Sequence, residues 1–315
     1  MKKTVRWGVL GNAWIARDFM IPALENSEIC ELAAVASRSK FPAELAPNAK
    51  HYDSYEGLLA DPDIDAIYVP VPNALHKEWT IKALAAGKHV LCEKPLSCTA
   101  EETRQMIAFA EEKGLLLMEA FMYRYSAKFQ KMMEILCSGV LGEIKAMSGC
   151  HGYTLDWASP AREDPKLGGG CLYDVGCYVV DCMNAVMAKQ GAELVDGSAA
   201  FRMKGEVDWH ATAWLKYDNG VIGALQSWFD AASEQRMLIA GEKGTLVIPH
   251  LFEGSSGELY LTVDGKTETI MAESIDPYQL EAEAFSRAVL GIEDDRMPLA
   301  DSLRNMQALD QLYNR

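Results

Sequence analysis

The sequence predicts an α/β protein of two domains. An N-terminal doubly wound parallel sheet is expected over residues 1–122, and a C-terminal α/β domain with a large open, mostly antiparallel sheet over residues 123–315. Three observations predict this. In the first part, short apolar runs alternate with amphipathic segments, the mark of βαβ units and a parallel sheet. After about Arg124 long segments of alternating polarity take over, which suit antiparallel strands with one wet face. The length, 315 residues with 49% hydrophobic content, allows a sizeable core but exceeds the usual span of one domain.

Taken in order, Val5 to Leu10 reads as the first strand and Trp14 to Leu24 as the first helix. Pro22 is expected to end or kink that helix, because it lacks an N–H to donate. Leu32 to Ala36, Ala66 to Val71, His89 to Cys92 and Leu115 to Met118 read as four further strands. Leu75 to Ala86 is a helix that stops at Gly87. Thr99-Ala100-Glu101-Glu102 has the spacing of a capping box, and its helix runs to Gly114, a left-handed stop. Right-handed crossovers order these strands as a doubly wound sheet. In the second domain a helix from Ala127 to Leu136 leads into Ala146 to Tyr153, Gly197 to Met203, Trp209 to Tyr217 and Val221 to Phe229. Asp218-Asn219-Gly220 is a hairpin turn between the last two. Two helices close the chain, Pro277 to Leu290 and Leu303 to Tyr313, and one of them is free to pack back on the first domain. The former opens on Asp276-Pro277 as cap and first-turn proline.

The net charge of -15 argues against nucleic acid or an anionic membrane surface as partner. A small anionic ligand still fits, since a helix N-terminus and one or two local cations hold a phosphate against the mean field. The eight cysteines form neither a CxxC pair nor a Cys/His cluster with zinc spacing. No metal site and no disulfide framework are expected, and free thiols suit a reducing compartment. No stretch approaches 18 unbroken apolar residues, and no long apolar leader follows Met1. These features predict a cytoplasmic protein that does not enter a membrane.

Chemistry gathers where the first-domain strands end, the edge at which open α/β sheets bind ligands. Gly11-Asn12-Ala13-Trp14-Ile15-Ala16 sits where a strand turns into a helix, as a dinucleotide fingerprint requires, with Ala in place of its second and third glycines. A plain tight turn is the alternative. The second strand ends in Ser37-Arg38-Ser39-Lys40, where an NAD site would offer an acidic side chain to the ribose 2′-hydroxyl. A serine hydroxyl and a guanidinium instead suit a 2′-phosphate, so NADP(H) is expected over NAD(H), an exposed basic turn being the duller reading. The third strand ends in Pro70-Val71-Pro72-Asn73, which must leave the sheet because proline cannot donate to a ladder. Asn73 either caps the next helix or bonds a cofactor ribose, and His76 is either packed or functional. The fourth strand delivers Glu93-Lys94-Pro95 to the same edge. Downstream, Asp174 and Tyr178 stand one helical turn apart on one face.

Glu93-Lys94-Pro95, Pro72-Asn73 with His76, and Gly168-Gly169-Gly170 followed by Asp174-Val175-Gly176-Cys177-Tyr178 together resemble the Gfo/Idh/MocA oxidoreductase family. Within it the chain is most similar to the glucose-fructose oxidoreductase and dimeric dihydrodiol dehydrogenase branch, to which Glu119-Ala120-Phe121-Met122-Tyr123-Arg124 and Tyr278, Glu281 and Phe285 also correspond. The resemblance implies a Rossmann domain, a second domain with an open mixed sheet, and a homodimer or higher oligomer formed through that sheet's outer face. It places the catalytic lysine on Lys94 and the acid/base tyrosine on Tyr178, with Asp174 binding a neighbouring hydroxyl. Val71, Glu93 and Arg124 fall with the cofactor. Arg162 resembles an arginine turned toward cofactor or substrate, and Trp157 is a candidate wall of the nicotinamide pocket.

A phenol with a pKa of about 10 is a poor base at neutral pH, and a nearby ammonium favours its phenolate. Lys94 is therefore expected to lower the pKa of Tyr178, which would take or return the hydroxyl proton during hydride transfer. The reaction implied is NADP(H)-dependent hydride exchange with a sugar or vicinal diol, a small polyhydroxylated substrate. The alternative is a regulator of the same fold that senses NADP or sugar without catalysis. Titration with both cofactors checks the nucleotide preference: NADP(H) is expected to bind more tightly, and equal or tighter binding of NAD(H) would remove the role given to Arg38.

Overall fold

The computed structural model describes residues 4–37, 41–253, 256–273 and 275–314. The chain divides into two compact units, Met1–Met122 with Asp276–Leu299, and Tyr123–Ile275 with Ala300–Arg315.

The first unit holds a six-stranded sheet of β1 (Val5–Leu10), β2 (Cys30–Ala36), β3 (Lys50–Tyr52), β4 (Ala66–Val69), β5 (His89–Glu93) and β6 (Leu117–Ala120), in the order β3-β2-β1-β4-β5-β6. All pairs are parallel. Every residue of β4 is buried, as is all of β1 but Arg6, the pattern of strands covered on both faces. The strand order reverses between β1 and β4, which makes that carboxyl edge the natural ligand crevice.

Local chemistry moves several boundaries. The strand expected over Leu115 to Met118 begins at Leu117, because Gly114 takes a left-handed conformation (φ 63°) and the Leu115 N–H closes the preceding helix on the Ala110 carbonyl. The stretch expected as one helix from Trp14 is a π-turn over Ala16–Met20 followed by an α-helix over Ile21–Asn26. Pro22 sits in the first turn of the latter, where its missing N–H costs least. The β3 strand has no counterpart in the sequence reading, since its three residues are polar or half-buried at a sheet edge. The expected capping box forms: Thr99 Oγ1 accepts the Glu102 N–H at 3.2 Å, and the Glu102 carboxylate accepts the Cys98 N–H at 3.2 Å. The helix Pro277–Val289 belongs to this unit. Phe285 packs on Trp7 at 5.4 Å, and the Trp7 indole donates to Ser286 Oγ at 3.1 Å.

The second unit is built on an eight-stranded sheet, β14-β13-β12-β11-β7-β10-β9-β8. Its strands are β7 (Ile144–Gly152), β8 (Leu194–Lys204), β9 (Val207–Tyr217), β10 (Ile222–Trp228), β11 (Glu234–Gly241), β12 (Gly244–Pro249), β13 (Gly257–Val263) and β14 (Lys266–Ala272). Every pairing is antiparallel except β7 with β10. The Asp218–Gly220 turn joins β9 to β10 with Gly220 at φ 86°. The helix Cys177–Lys189 lies against one face. A Cβ at Gly149 of β7 would stand 2.7 Å from Val179 Cγ1 and closer still to the Met237 sulfur, so glycine there is what lets the helix approach the strand. The other face is open: Trp214 is 37% exposed and Ile222 50%.

The sequence reading names none of β11 to β14, and of the Cys177–Lys189 helix it finds only the turn from Asp174 to Tyr178. That helix is buried nearly all round, so it shows no amphipathic period to find. Its longer run, Pro165–Lys189, is the one helical stretch among the described residues long and apolar enough by length and composition to cross a membrane. Of its apolar window, 89% is buried inside the protein.

Candidate active site

At the end of β1 the chain turns on Gly11, whose φ of 113° is open to glycine and strained for other residues. Its N–H bonds the Ala36 carbonyl at 2.8 Å. Helix begins within three residues, leaving the first-turn N–H groups of Ala13, Trp14 and Ile15 without intrahelical acceptors. Asn12 Oδ1 is buried and lacks a hydrogen-bond partner. An orphan acceptor beside a rim of N–H donors fits a dinucleotide, with pyrophosphate on the donors and a ligand N–H or O–H on Asn12. Ser37 is buried at the end of β2, and Trp14 is 44% exposed beside Phe19. Arg38 and Lys40 lie outside the described residues.

The ends of β4 and β5 are joined through His76. This histidine is fully buried, with Nδ1 2.8 Å from the Pro95 carbonyl and Nε2 2.8 Å from the Val71 carbonyl. Each nitrogen faces a carbonyl, and the neutral ring donates to one of the two, so His76 braces the backbone between them. Burial pushes its pKa down to about 4, while the two carbonyls act in the opposite sense. Asn73 opens a short 3-10 turn, Asn73–Leu75, that follows Pro72 and leads into the helix His76–Ala85.

Lys94 follows β5 on a segment tied at three points. Its N–H meets Glu93 Oε2 at 3.3 Å, the Pro95 carbonyl meets His76, and the Leu96 N–H donates to Glu119 Oε1 at 2.8 Å. Glu93 Oε1 also accepts from the Tyr68 hydroxyl at 2.5 Å. Burial, with the negative charge of Glu93, holds the Tyr68 phenol far above its ordinary pKa. Glu281 is fully buried, and neither of its oxygens has a hydrogen-bond partner. Burial first, then Glu93 and Asp276, raise its pKa well above the usual carboxyl range, so it carries a proton. Nothing in the sequence pattern marks Glu281 as neutral.

In the second unit Tyr178 opens the Cys177–Lys189 helix, and Asp174 lies on the π-turn Leu172–Gly176 just before it. Asp174 Oδ2 accepts from the Tyr153 hydroxyl at 2.7 Å and from Arg162 Nε at 2.8 Å. Burial, then the Asp174 charge, pushes the Tyr153 phenol well above its ordinary value. Trp157, 51% exposed, stacks on Tyr153 with centroids 5.6 Å apart and planes at 9°. The structure therefore groups Asp174, Arg162 and Trp157 around Tyr153, a residue that sequence reasoning missed.

The Tyr178 ring packs on His151 at 5.3 Å and on Tyr123 and Phe252 at 5.8 Å. His151 was also missed; its signal was its place two residues before Tyr153 on one face of a strand end. Arg124, expected with the cofactor, turns to carboxylates: its Nε and Nη2 grip both Asp181 oxygens at 2.8 and 2.6 Å, and Nη1 bonds Asp301 at 2.7 Å. A guanidinium so engaged fastens the helix that carries Tyr178. The glycine run also serves packing: a Cβ at Gly170 would strike the Asp208 carboxylate, and one at Gly169 would lie 2.5 Å from the Arg162 carbonyl. Among the described residues no group of three or more His, Cys, Asp or Glu side chains is placed to hold a metal ion.

A doubly wound parallel sheet with a donor-rimmed crevice, followed by an open-sheet domain, defines a dinucleotide-binding oxidoreductase. Residues 5–121 match the profile "Oxidoreductase family, NAD-binding Rossmann fold", and residues 129–247 match the "GFO/IDH/MocA C-terminal domain". The chain belongs to the Gfo/Idh/MocA oxidoreductase family. It is 35% identical to D-xylose 1-dehydrogenase (NADP(+)) 2 of Haloferax volcanii over 98% of this chain and 96% of that protein. It is 30% identical to trans-1,2-dihydrobenzene-1,2-diol dehydrogenase of Xenopus laevis over 94% and 93%. A 3-ketoreductase from Actinomadura kijaniata, solved with NADP and TDP-benzene, superposes with a TM-score of 0.90 at 30% identity over 99% of this chain and 97% of that one. The same ketoreductase has been solved with a lysine replaced by alanine or glutamate, and with a tyrosine replaced by phenylalanine.

The depressed pKa of His76 has a sign that stability measurements read. Between an unfolded value of about 6.5 and a folded value of about 4, the unfolded chain binds more protons, so stability falls as pH is lowered through that window. The stability of the protein minus that of a His76→Gln variant, from urea unfolding, is expected to decrease from pH 6.5 to 4. A difference that stays constant or grows would contradict a neutral buried imidazole.

Proposed function

We propose that this chain is an NADP(H)-dependent oxidoreductase exchanging hydride with a carbinol or carbonyl carbon of a sugar or vicinal diol. The observation that carries the reading is the delivery of Lys94 by β5 to the same carboxyl edge at which the Gly11 turn opens. When bound, the nicotinamide supplies or accepts the hydride. Gly11, Asn12, Ala13, Trp14 and Ile15 would hold the pyrophosphate and ribose, with Ser37 toward the adenosine side. Lys94 binds the reacting oxygen of the substrate, and its charge eases proton loss from the hydroxyl under attack. Tyr178 takes that proton in the oxidative direction and returns it in the reductive one. Asp174, oriented by Arg162, accepts a second substrate hydroxyl, while Trp157 offers a flat apolar face. Arg162 thus acts through Asp174.

The named relatives, a xylose dehydrogenase, a diol dehydrogenase and a sugar ketoreductase, support a polyhydroxylated substrate and NADP(H). A lysine and a tyrosine are also the residue types replaced in the ketoreductase variants. A cofactor-bound regulator would need neither Lys94 nor Tyr178.

The working form in this reading is a cytoplasmic homodimer. All eight cysteines are free, which suits a reducing compartment. On the open face of the large sheet, Trp214, Ala224, Ser148, Leu238, Val247 and Tyr260 form one row in register across six strands, a surface suited to a second copy.

Aldoses and vicinal diols, screened by the absorbance of reduced nicotinamide, test the activity. Tyr178→Phe is expected to lower turnover on the best substrate by about 10² or more and leave NADP(H) binding unchanged. Retained turnover would remove Tyr178 from the mechanism.

A further inference from the structure

An acid/base tyrosine must exchange its proton with water once per turnover, and one of the rings packed on Tyr178 is suited to pass it. Three rings touch Tyr178: His151, Tyr123 and Phe252. Phe252 has no proton to give. Tyr123 donates its hydroxyl to the buried Asp181 carboxylate, which together with burial keeps it a phenol. Of the three, His151 alone has two ring nitrogens, one able to take a proton while the other gives one up.

The setting of His151 is that of a relay. Its ring is 2% exposed and lies flat on Phe252, 5.4 Å between centroids and 16° between planes. Nε2 meets Glu253 Oε1 at 3.2 Å, and the Glu253 side chain is 60% exposed to water. Gln235, directly opposite His151 in the β7–β11 ladder, fixes that carboxylate. Its amide donates to Glu253 Oε2 at 2.6 Å, and its carbonyl accepts the N–H groups of Phe252 and Glu253 at 2.9 Å. With Nε2–H bonded to a carboxylate, the neutral ring carries its lone pair on Nδ1. That nitrogen is buried and has no hydrogen-bond partner. A buried acceptor left open next to the acid/base ring, on an imidazole whose far side reaches a surface carboxylate, is more than packing requires.

We propose that His151 and Glu253 carry the proton between Tyr178 and bulk water. In the oxidative direction the substrate O–H bond breaks and its proton goes to the Tyr178 phenolate. The Tyr178 proton then passes to His151 Nδ1 as the Nε2 proton passes to Glu253 Oε1, and from there to water. One proton leaves per substrate oxidised, and the reductive direction runs the same transfers backward. The groups facing His151 are Tyr178 from the helix, Glu253 and Phe252 from the turn after β12, and uncharged Gln235 from β11. The inference rests on Tyr178 being the acid/base group.

Three variants test it, each compared with Tyr178→Phe. His151→Phe keeps a ring in place and removes both nitrogens. Its kcat is expected to fall about tenfold to a hundredfold, with KM and NADP(H) binding unchanged. His151→Ala is expected to recover turnover when imidazole is added, in proportion to the unprotonated buffer. Glu253→Gln, at an exposed position that does not threaten folding, is expected to lower kcat and displace the pH profile of kcat. Wild-type kcat and pH profile in His151→Phe and Glu253→Gln would overturn the relay, as would a folded His151→Ala that imidazole does not rescue. Full activity in Tyr178→Phe would instead overturn the prior assignment of the tyrosine, so the two failures are distinguishable.

Discussion

Two carbonyl groups from separate strand ends, those of Val71 and Pro95, meet on one buried imidazole, and the first unit's chemistry depends on that junction. β4 and β5 bring apolar side chains to the sheet and then must release the chain at its carboxyl edge. Pro70 and Pro95 forbid continued pairing by lacking an N–H, which leaves carbonyls that need donors. His76 meets both at 2.8 Å and so sets the spacing of the loop that carries Pro72 and Asn73 from the loop that carries Lys94. Without that brace, the turn that carries Lys94 would lose one of its ties, beside those to Glu93 and Glu119.

The second unit solves a similar problem with charge. Asp181 is fully buried three residues after Tyr178, and a lone carboxylate at such depth would be strongly disfavoured. Arg124 grips it with two nitrogens, Tyr123 and Asn305 donate to it, and Asp301 accepts from the third arginine nitrogen. Burial lowers the pKa of an arginine, but the neighbouring carboxylates outweigh it and leave Arg124 firmly charged. The gain is positional: breaking one member would leave an unpaired buried charge, a loss of about 3–5 kcal/mol, and would free the start of the helix on which the tyrosine stands. The same logic holds at Asp174, where Arg162 and Tyr153 keep a half-buried carboxylate oriented.

Much of this was legible in the sequence where a local rule acts alone. The parallel strands announced themselves as apolar runs, the Thr99 cap by its spacing, the Gly220 turn by its composition, and the clustering of Gly11, Pro72 and Lys94 by their positions after strands. Distant partners decide the rest. Arg124 is expected with the cofactor, and the carboxylates it meets arrive from residues 181 and 301. His76 is either packed or functional by its sequence, and the fold sets it between two carbonyls. Gly169 and Gly170 stand in a motif of the family, and the groups they make room for, the Arg162 backbone and Asp208, come from elsewhere in the chain. Tyr153 and His151 lie in an unremarkable alternating strand, and only the fold shows that its end faces Asp174 and Tyr178. The chain's likeness to sugar and diol oxidoreductases of its family accords with the parts that local rules exposed.

In the proposed mechanism Lys94 and Tyr178 act on one substrate oxygen. A double-mutant cycle tests it most directly: kcat/KM for Lys94→Met, Tyr178→Phe and the double variant, with cofactor saturating. If the two act on one oxygen, the double variant is no slower than the slower single one within a few fold, because groups acting as a unit lose their effect once. Losses that multiply in full would contradict the account, for they would show two residues acting independently.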